Sequence, residues 1–153
     1  MNWTPCSAHE CVDEMVWLKR MVQKARQLER SRTAGTDLMN GFLFGRNDYV
    51  DGKVLRFLNI GDQDVLEAVR SQADDVRAAQ ALLRRSGRSV EERRSFSRRL
   101  RRSMANFVLF EADEGRLAPG PRTSLIRFFY NRMLMPLVYL HFNAAERRRA
   151  ARG

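Results

Sequence analysis

The sequence predicts an all-α fold: five or six helices packed around one buried helix near the C-terminus, with a single irregular loop. Three observations predict it. The stretch 125–142, LIRFFYNRMLMPLVYLHF, is apolar over most of a helix circumference, as a helix set in a core or a membrane must be. Several segments upstream carry apolar residues on one side only, at helical spacing. The composition, 44% hydrophobic and 30% charged over 153 residues, is that of an ordinary globular domain.

The membrane alternative for 125–142 fails on energy. Each arginine near a spanning-helix centre costs roughly 2.5–3.5 kcal/mol, and each Leu, Ile, Phe or Val returns only about 0.3–0.6. Arg127 and Arg132 therefore cancel most of the gain, and Asn131, Pro136 and His141 oppose insertion further. Pro136 kinks or interrupts the helix, because it has no N–H to donate. No transmembrane segment is expected.

The elements follow in order. Residues 1–9 have no periodicity and contain Pro5, so a flexible arm is expected. Cys6, His9 and Cys11 are close together, but a structural zinc site needs four ligands, and the remaining histidine is the distant His141. No metal site is expected. A first helix is expected over 10–30, with Met15, Leu18, Val22 and Ala25 inward. Trp17, Arg20 and Lys24 stand at i, i+3 and i+7 and share one of its sides. Residues 33–51 hold three glycines among Asn and Asp, which are turn formers. A loop of this length is often functional when ordered.

Asp51 is expected to cap a short helix over 53–59 that Gly61 terminates. Asp64 with Glu67 suggests a capping pair for a helix over 65–71. Asp74 caps the next, 75–85, which Gly87 stops. Ser89 with Glu92 is a capping box that opens a long helix to about residue 112. Its apolar stripe is Phe96, Leu100, Met104, Phe107 and Val108, and its other side carries Arg93, Arg94, Arg98, Arg101 and Arg102. Pro119-Gly120-Pro121 forces a turn before the core helix. One domain over 10–145 and a basic tail over 146–153 complete the expectation.

Over most of residues 12–149 the chain resembles a known family. Val16-Trp17-Leu18, Arg20, Lys24-Ala25-Arg26, Asp51, Phe57-Leu58, Ile60 and Leu66-Glu67-Ala68-Val69-Arg70 are similar to the uncharacterised bacterial domain-of-unknown-function family 5069. Ala105-Asn106-Phe107, Asp113-Glu114-Gly115-Arg116, Tyr130-Asn131 and Met135-Pro136 resemble a longer branch of it. The chain departs from the pattern at Lys19, where a proline is expected, and at Asp48-Tyr49-Val50, where Cys-Pro-Leu is. The resemblance implies a bacterial protein with a small helical fold, and it assigns no known activity.

Charge narrows the functions. The formal net charge is +10. Residues 1–83 are nearly neutral, whereas 84–102 carry nine arginines against two glutamates. Such a concentration suits nucleic acid, an anionic membrane surface or an acidic protein partner. The Arg side has no interleaved aromatic for base stacking, and Glu91-Glu92 at the helix start repel phosphate. The start, MNWTPCSAHE, shows no secretion signal, so a cytoplasmic protein is expected. No phosphate loop, dinucleotide glycine motif, nucleophile elbow or zinc helix is present, and the sequence names no cofactor, leaving that open.

The leading expectation is a binding module with a pocket under the 33–51 loop. Trp17, Arg20, Lys24, Tyr130 and Arg132 would hold an anionic or partly apolar small molecule. A small enzyme using that pocket, with Asp51 or Asp113 as base, is the second. Binding of nucleic acid or an acidic partner through the Arg-rich helix is the third. An interaction subunit whose apolar C-terminal helix is completed by another chain is the fourth.

Overall fold

The computed structural model describes residues 3–103, together with Glu114, Arg116, Ser124, Phe128 and Arg132. The chain divides into two compact units, residues 1–107 and 108–153. The boundary falls inside the segment expected as one domain. The expected core helix, the 146–153 tail, and the end of the long helix past Ser103 lie outside the described residues, save for Phe128 and Arg132, which are exposed.

Among the described residues of the first unit the regular elements are helical apart from one small hairpin. Strand β1 (Cys11–Val12) pairs antiparallel with β2 (Met15–Val16). Helices α1 (Leu18–Ala34), α2 (Tyr49–Leu58), α3 (Asp62–Ser71), α4 (Asp75–Ser86) and α5 (Val90–Ser103) follow. A 3-10 turn, Gly45–Asn47, precedes α2. Helix α1 packs against α3 and α4, which pack on each other, and the hairpin lies against α1, α4 and α5. The core is formed by Leu18, Met21, Val22 and Ala25 of α1 with Val54, Leu55 and Leu58 of α2, Val65 and Val69 of α3, and Ala78, Ala79, Leu82 and Leu83 of α4.

The N-terminal expectation needs correcting. The first helix begins at Leu18, not at residue 10. Asp13 and Glu14 both take positive φ, 44° and 69°, as the centre of a tight hairpin turn requires. Aspartate tolerates that conformation, but glutamate does not advertise it, and strands of two residues are too short to show alternation. Residues 3–9 are packed and not a free arm: Pro5 and Ala8 are buried. The Cys6 N–H donates to Gln23 Oε1 at 2.7 Å, and Arg20 Nη1 donates to the Cys6 carbonyl at 2.8 Å.

Caps explain the other boundaries. Asp48, not Asp51, caps α2, its Oδ1 accepting from the N–H groups of Val50 and Asp51. Asn59, with φ 55°, ends α2, while Gly61 opens α3 instead of closing α2. Asp64 turns back to accept from the Gly61 N–H at 2.7 Å, so the expected Asp64–Glu67 pairing does not form the cap. Asp74 caps α4 and Gly87 closes it in the left-handed conformation, as the sequence predicts. The Ser89–Glu92 box is present in both directions, at 3.2 and 2.8 Å.

Ser97 ties α5 to the hairpin. Its Oγ donates to the Glu14 carbonyl at 2.7 Å and accepts from the buried Val16 N–H at 3.2 Å. Ser97→Ala leaves both backbone groups without this partner, and a buried unsatisfied group costs about 1–3 kcal/mol. Urea unfolding is expected to show a lower midpoint with an unchanged slope.

Candidate functional site

The centre of the first unit holds a buried ion pair. Lys24, in the middle of α1, and Asp51, in the first turn of α2, are 1% and 0% exposed. Lys24 Nζ donates to Asp51 Oδ1 at 2.8 Å and to Asp48 Oδ2 at 2.9 Å. The Trp17 indole N–H donates to Asp51 Oδ1 at 2.6 Å, and the Gly45 N–H donates to Asp51 Oδ2 at 3.0 Å. Asp51 therefore gathers donors from the residue before α1, from α1 itself and from the end of the loop. Burial pushes its carboxyl up to about 6, with Asp48 adding to the rise and Lys24 and Trp17 opposing it.

The loop is fastened over α1. Gln27 Nε2 donates to the Leu38 carbonyl at 2.9 Å, and the Leu38 N–H donates to Ser31 Oγ at 3.0 Å. Phe42 meets the Arg20 guanidinium, which lies 5.1 Å from the Trp17 ring centre and 5.5 Å from that of Phe42. Trp3 packs edge-on against Phe42 at 5.6 Å. Cation–π contact stabilises such an arrangement by about 0.5–2 kcal/mol.

Of the residues singled out in the sequence, Trp17, Arg20, Lys24 and Asp51 converge. They do so as internal packing: all four are 2% exposed or less. Arg132 is exposed in the second unit, and Tyr130 and Asp113 lie outside the described residues. A general base must come within about 3 Å of the proton it removes. Asp51 already accepts from three protein donors, so a substrate reaches it only if the loop lifts.

The open sites lie elsewhere. On α5, Arg94, Arg98, Arg101 and Arg102 are exposed and Arg93 half-buried. Arg94 pairs with Glu14 at 3.1 Å, which holds the Glu14 carboxyl below its usual range. Arg101 Nη2 donates to Cys11 Sγ at 3.0 Å. Arg98 and Arg102 have no side-chain partner among the described residues. A cleft of about 390 Å³ at the α4–α5 turn is lined by Asp13, Leu83, Arg84, Arg88 and Arg93 among others. A second, of about 320 Å³, is lined by Arg46, Gly52, Leu55, Arg56, Asn59 and Ile60. The sequence reading missed Arg46, Arg56 and Arg84, because no periodicity marks an isolated loop arginine or a helix-end arginine. It missed Asp48 as a Lys24 partner too, although an aspartate just before an apolar run is a capping signal.

Among the described residues no group of three or more His, Cys, Asp or Glu side chains is arranged to hold a metal ion, and no helix is long and apolar enough to cross a membrane. Set against protein-family models, curated proteins and solved structures, the chain matches none of them.

Two outcomes follow from the buried pair. Lys24→Met strips Asp51 of its cation, and breaking a buried pair in this way costs about 3–5 kcal/mol; denaturant unfolding measures it. The second concerns pH. The folded state holds the Asp51 proton up to about pH 6, while the unfolded chain releases it near 3.8. The unfolded chain thus binds fewer protons within that window, so this group's contribution makes stability fall as pH rises from about 4 to 6. In a Trp3→Phe background, the emission of Trp17 should titrate with a midpoint near 6, since its N–H donates to that carboxyl. A flat profile between pH 5 and 7 would contradict the assignment.

Proposed function

We propose that the protein binds nucleic acid through the arginine face of α5, holding the phosphate backbone without reading base sequence. The observation that carries this reading is the pair Arg98 and Arg102, one turn apart, exposed, and without a side-chain partner among the described residues. Arg94 and Arg101 extend the same side of the helix. From Arg94 to Arg102 the stripe spans about 12 Å at 1.5 Å per residue. Guanidinium groups offer phosphate two parallel hydrogen bonds, and a duplex presents one charge per about 1.7 Å of axis.

Glu92 weighs less against phosphate than its position suggests. Glu92 is engaged by Arg88 at 2.9 Å and by the Ser89 N–H. The small-molecule reading built on Trp17, Arg20 and Lys24 ranks lower because those side chains are buried. Catalysis by Asp51 ranks lower for the same reason. The resemblance to family 5069 carries no activity and so favours none of these readings.

Fluorescence anisotropy with a labelled duplex, repeated across KCl concentrations, tests the proposal. The logarithm of the binding constant should fall steeply with the logarithm of salt, with a slope of about −3 for three to four phosphate contacts. Arg98→Ser and Arg102→Ser should each weaken binding irrespective of sequence and reduce the slope by about 1. Binding that ignores salt, or that survives the double substitution, overturns it.

A further inference from the structure

We infer that the cleft beside α2 is a second, separate site for a small phosphomonoester. It is lined by Arg46 from the 3-10 turn, by Gly52, Leu55 and Arg56 from α2, and by Asn59 and Ile60 just after it. Its volume, about 320 Å³, stands at the low end of small-molecule pockets, so it suits a compact ligand and excludes a folded chain.

The chemistry of the lining is that of a dianion receptor. Arg46 and Arg56 are both exposed and have no carboxylate partner among the described residues. This separates them from the arginines nearby in sequence that the fold neutralises, such as Arg26 with Asp75 at 2.7 Å and Arg70 with Glu29 at 2.7 Å. Two guanidinium groups match two negative charges and supply the forked donors that phosphate oxygens accept. The Asn59 amide adds a neutral polar group that can donate or accept. Asp62, the nearest acidic side chain to Arg46 in the hydrogen-bond pattern, accepts the Arg46 backbone N–H at 3.1 Å and does not line the cleft. Leu55 and Ile60 provide an apolar edge, so the ligand carries a short organic group on its phosphate.

Gly52 shapes the floor. A Cβ there would stand 3.5 Å from the Arg46 carbonyl oxygen and 3.6 Å from Arg56 Nη1. Both are ordinary contact distances, so a methyl would fit there but would occupy the space between the Arg46 backbone and the Arg56 guanidinium. The site also adjoins the buried pair, because Gly45 donates to Asp51 and Arg46 is the next residue.

The test uses isothermal titration of the full chain with phenyl phosphate, inorganic phosphate and phenylacetate. Saturable one-to-one binding of phenyl phosphate is expected, with phenylacetate at least tenfold weaker. Arg46→Ser and Arg56→Ser should each weaken phenyl phosphate by tenfold or more. Arg98→Ser/Arg102→Ser, on the surface proposed for nucleic acid, should leave it within twofold. Because Arg46 and Arg56 are exposed, loss of fold is not expected, and the melting temperature of each variant checks this. Phenylacetate binding as tightly as phenyl phosphate overturns the inference, as does equal weakening by the α5 substitutions, or no saturable binding at all.

Discussion

A lysine ammonium held inside a small helical unit by two aspartates fixes the arrangement of its surroundings. Moving a charge from water to a protein interior costs several kcal/mol even after relaxation. Lys24 is tolerated because both carboxylates lie within 2.9 Å of its nitrogen. That requirement sets the distance between α1 and the first turn of α2. It draws in Gly45 and the indole of Trp17, since Asp51 needs its remaining acceptor positions filled when it is buried. Loop, hairpin end and two helices are thereby joined through one carboxylate. A hydrophobic pair of the same volume could be as stable, but it would not define where the loop ends.

The loop illustrates the consequence. It has few apolar anchors, yet its two ends and its middle are each attached to α1 or α2. Gly45 sits at φ 83°, and a Cβ at that position would meet the Asp62 carboxylate at 2.7–2.8 Å. Only glycine allows the chain to turn there and pass so close to the start of α3. The 3-10 turn that follows presents Arg46 outward, while Asp51 points inward less than two helical turns later. The same constraint that closes the interior therefore positions the exposed arginine beside α2.

Much of this was legible in residue pattern, though unevenly. Helices α4 and α5 were, because Asp74, Gly87, Ser89 and Glu92 are local signals whose hydrogen bonds form within four residues. The clustering of Trp17, Arg20 and Lys24 was also legible, because i, i+3 and i+7 share one side of any helix. What those side chains do was not. Whether a charged side faces solvent or an internal counter-ion depends on residues 24 to 27 positions away, Asp48 and Asp51, and no local rule links them to Lys24. The hairpin was hidden because Met15 and Leu18 fit a helical period as well as they fit a strand followed by a helix.

Charge segregation then separates structure from surface. The part up to residue 83 is nearly neutral, and the buried Lys24 and half-buried Arg26 are paired within it, Lys24 with Asp48 and Asp51, and Arg26 with Asp75. The stretch from 84 to 102 has nine arginines and two glutamates, so its own acids cannot neutralise it. Arg85 reaches back to Asp64, Arg88 takes Glu92 and Arg94 takes Glu14. Arg98 and Arg102 are left facing water. Exposed ion pairs contribute about 0–1 kcal/mol, so the fold gains little from placing these arginines there, and mutual repulsion along the helix works against it. An anion bound along α5, as proposed above, would offset that repulsion.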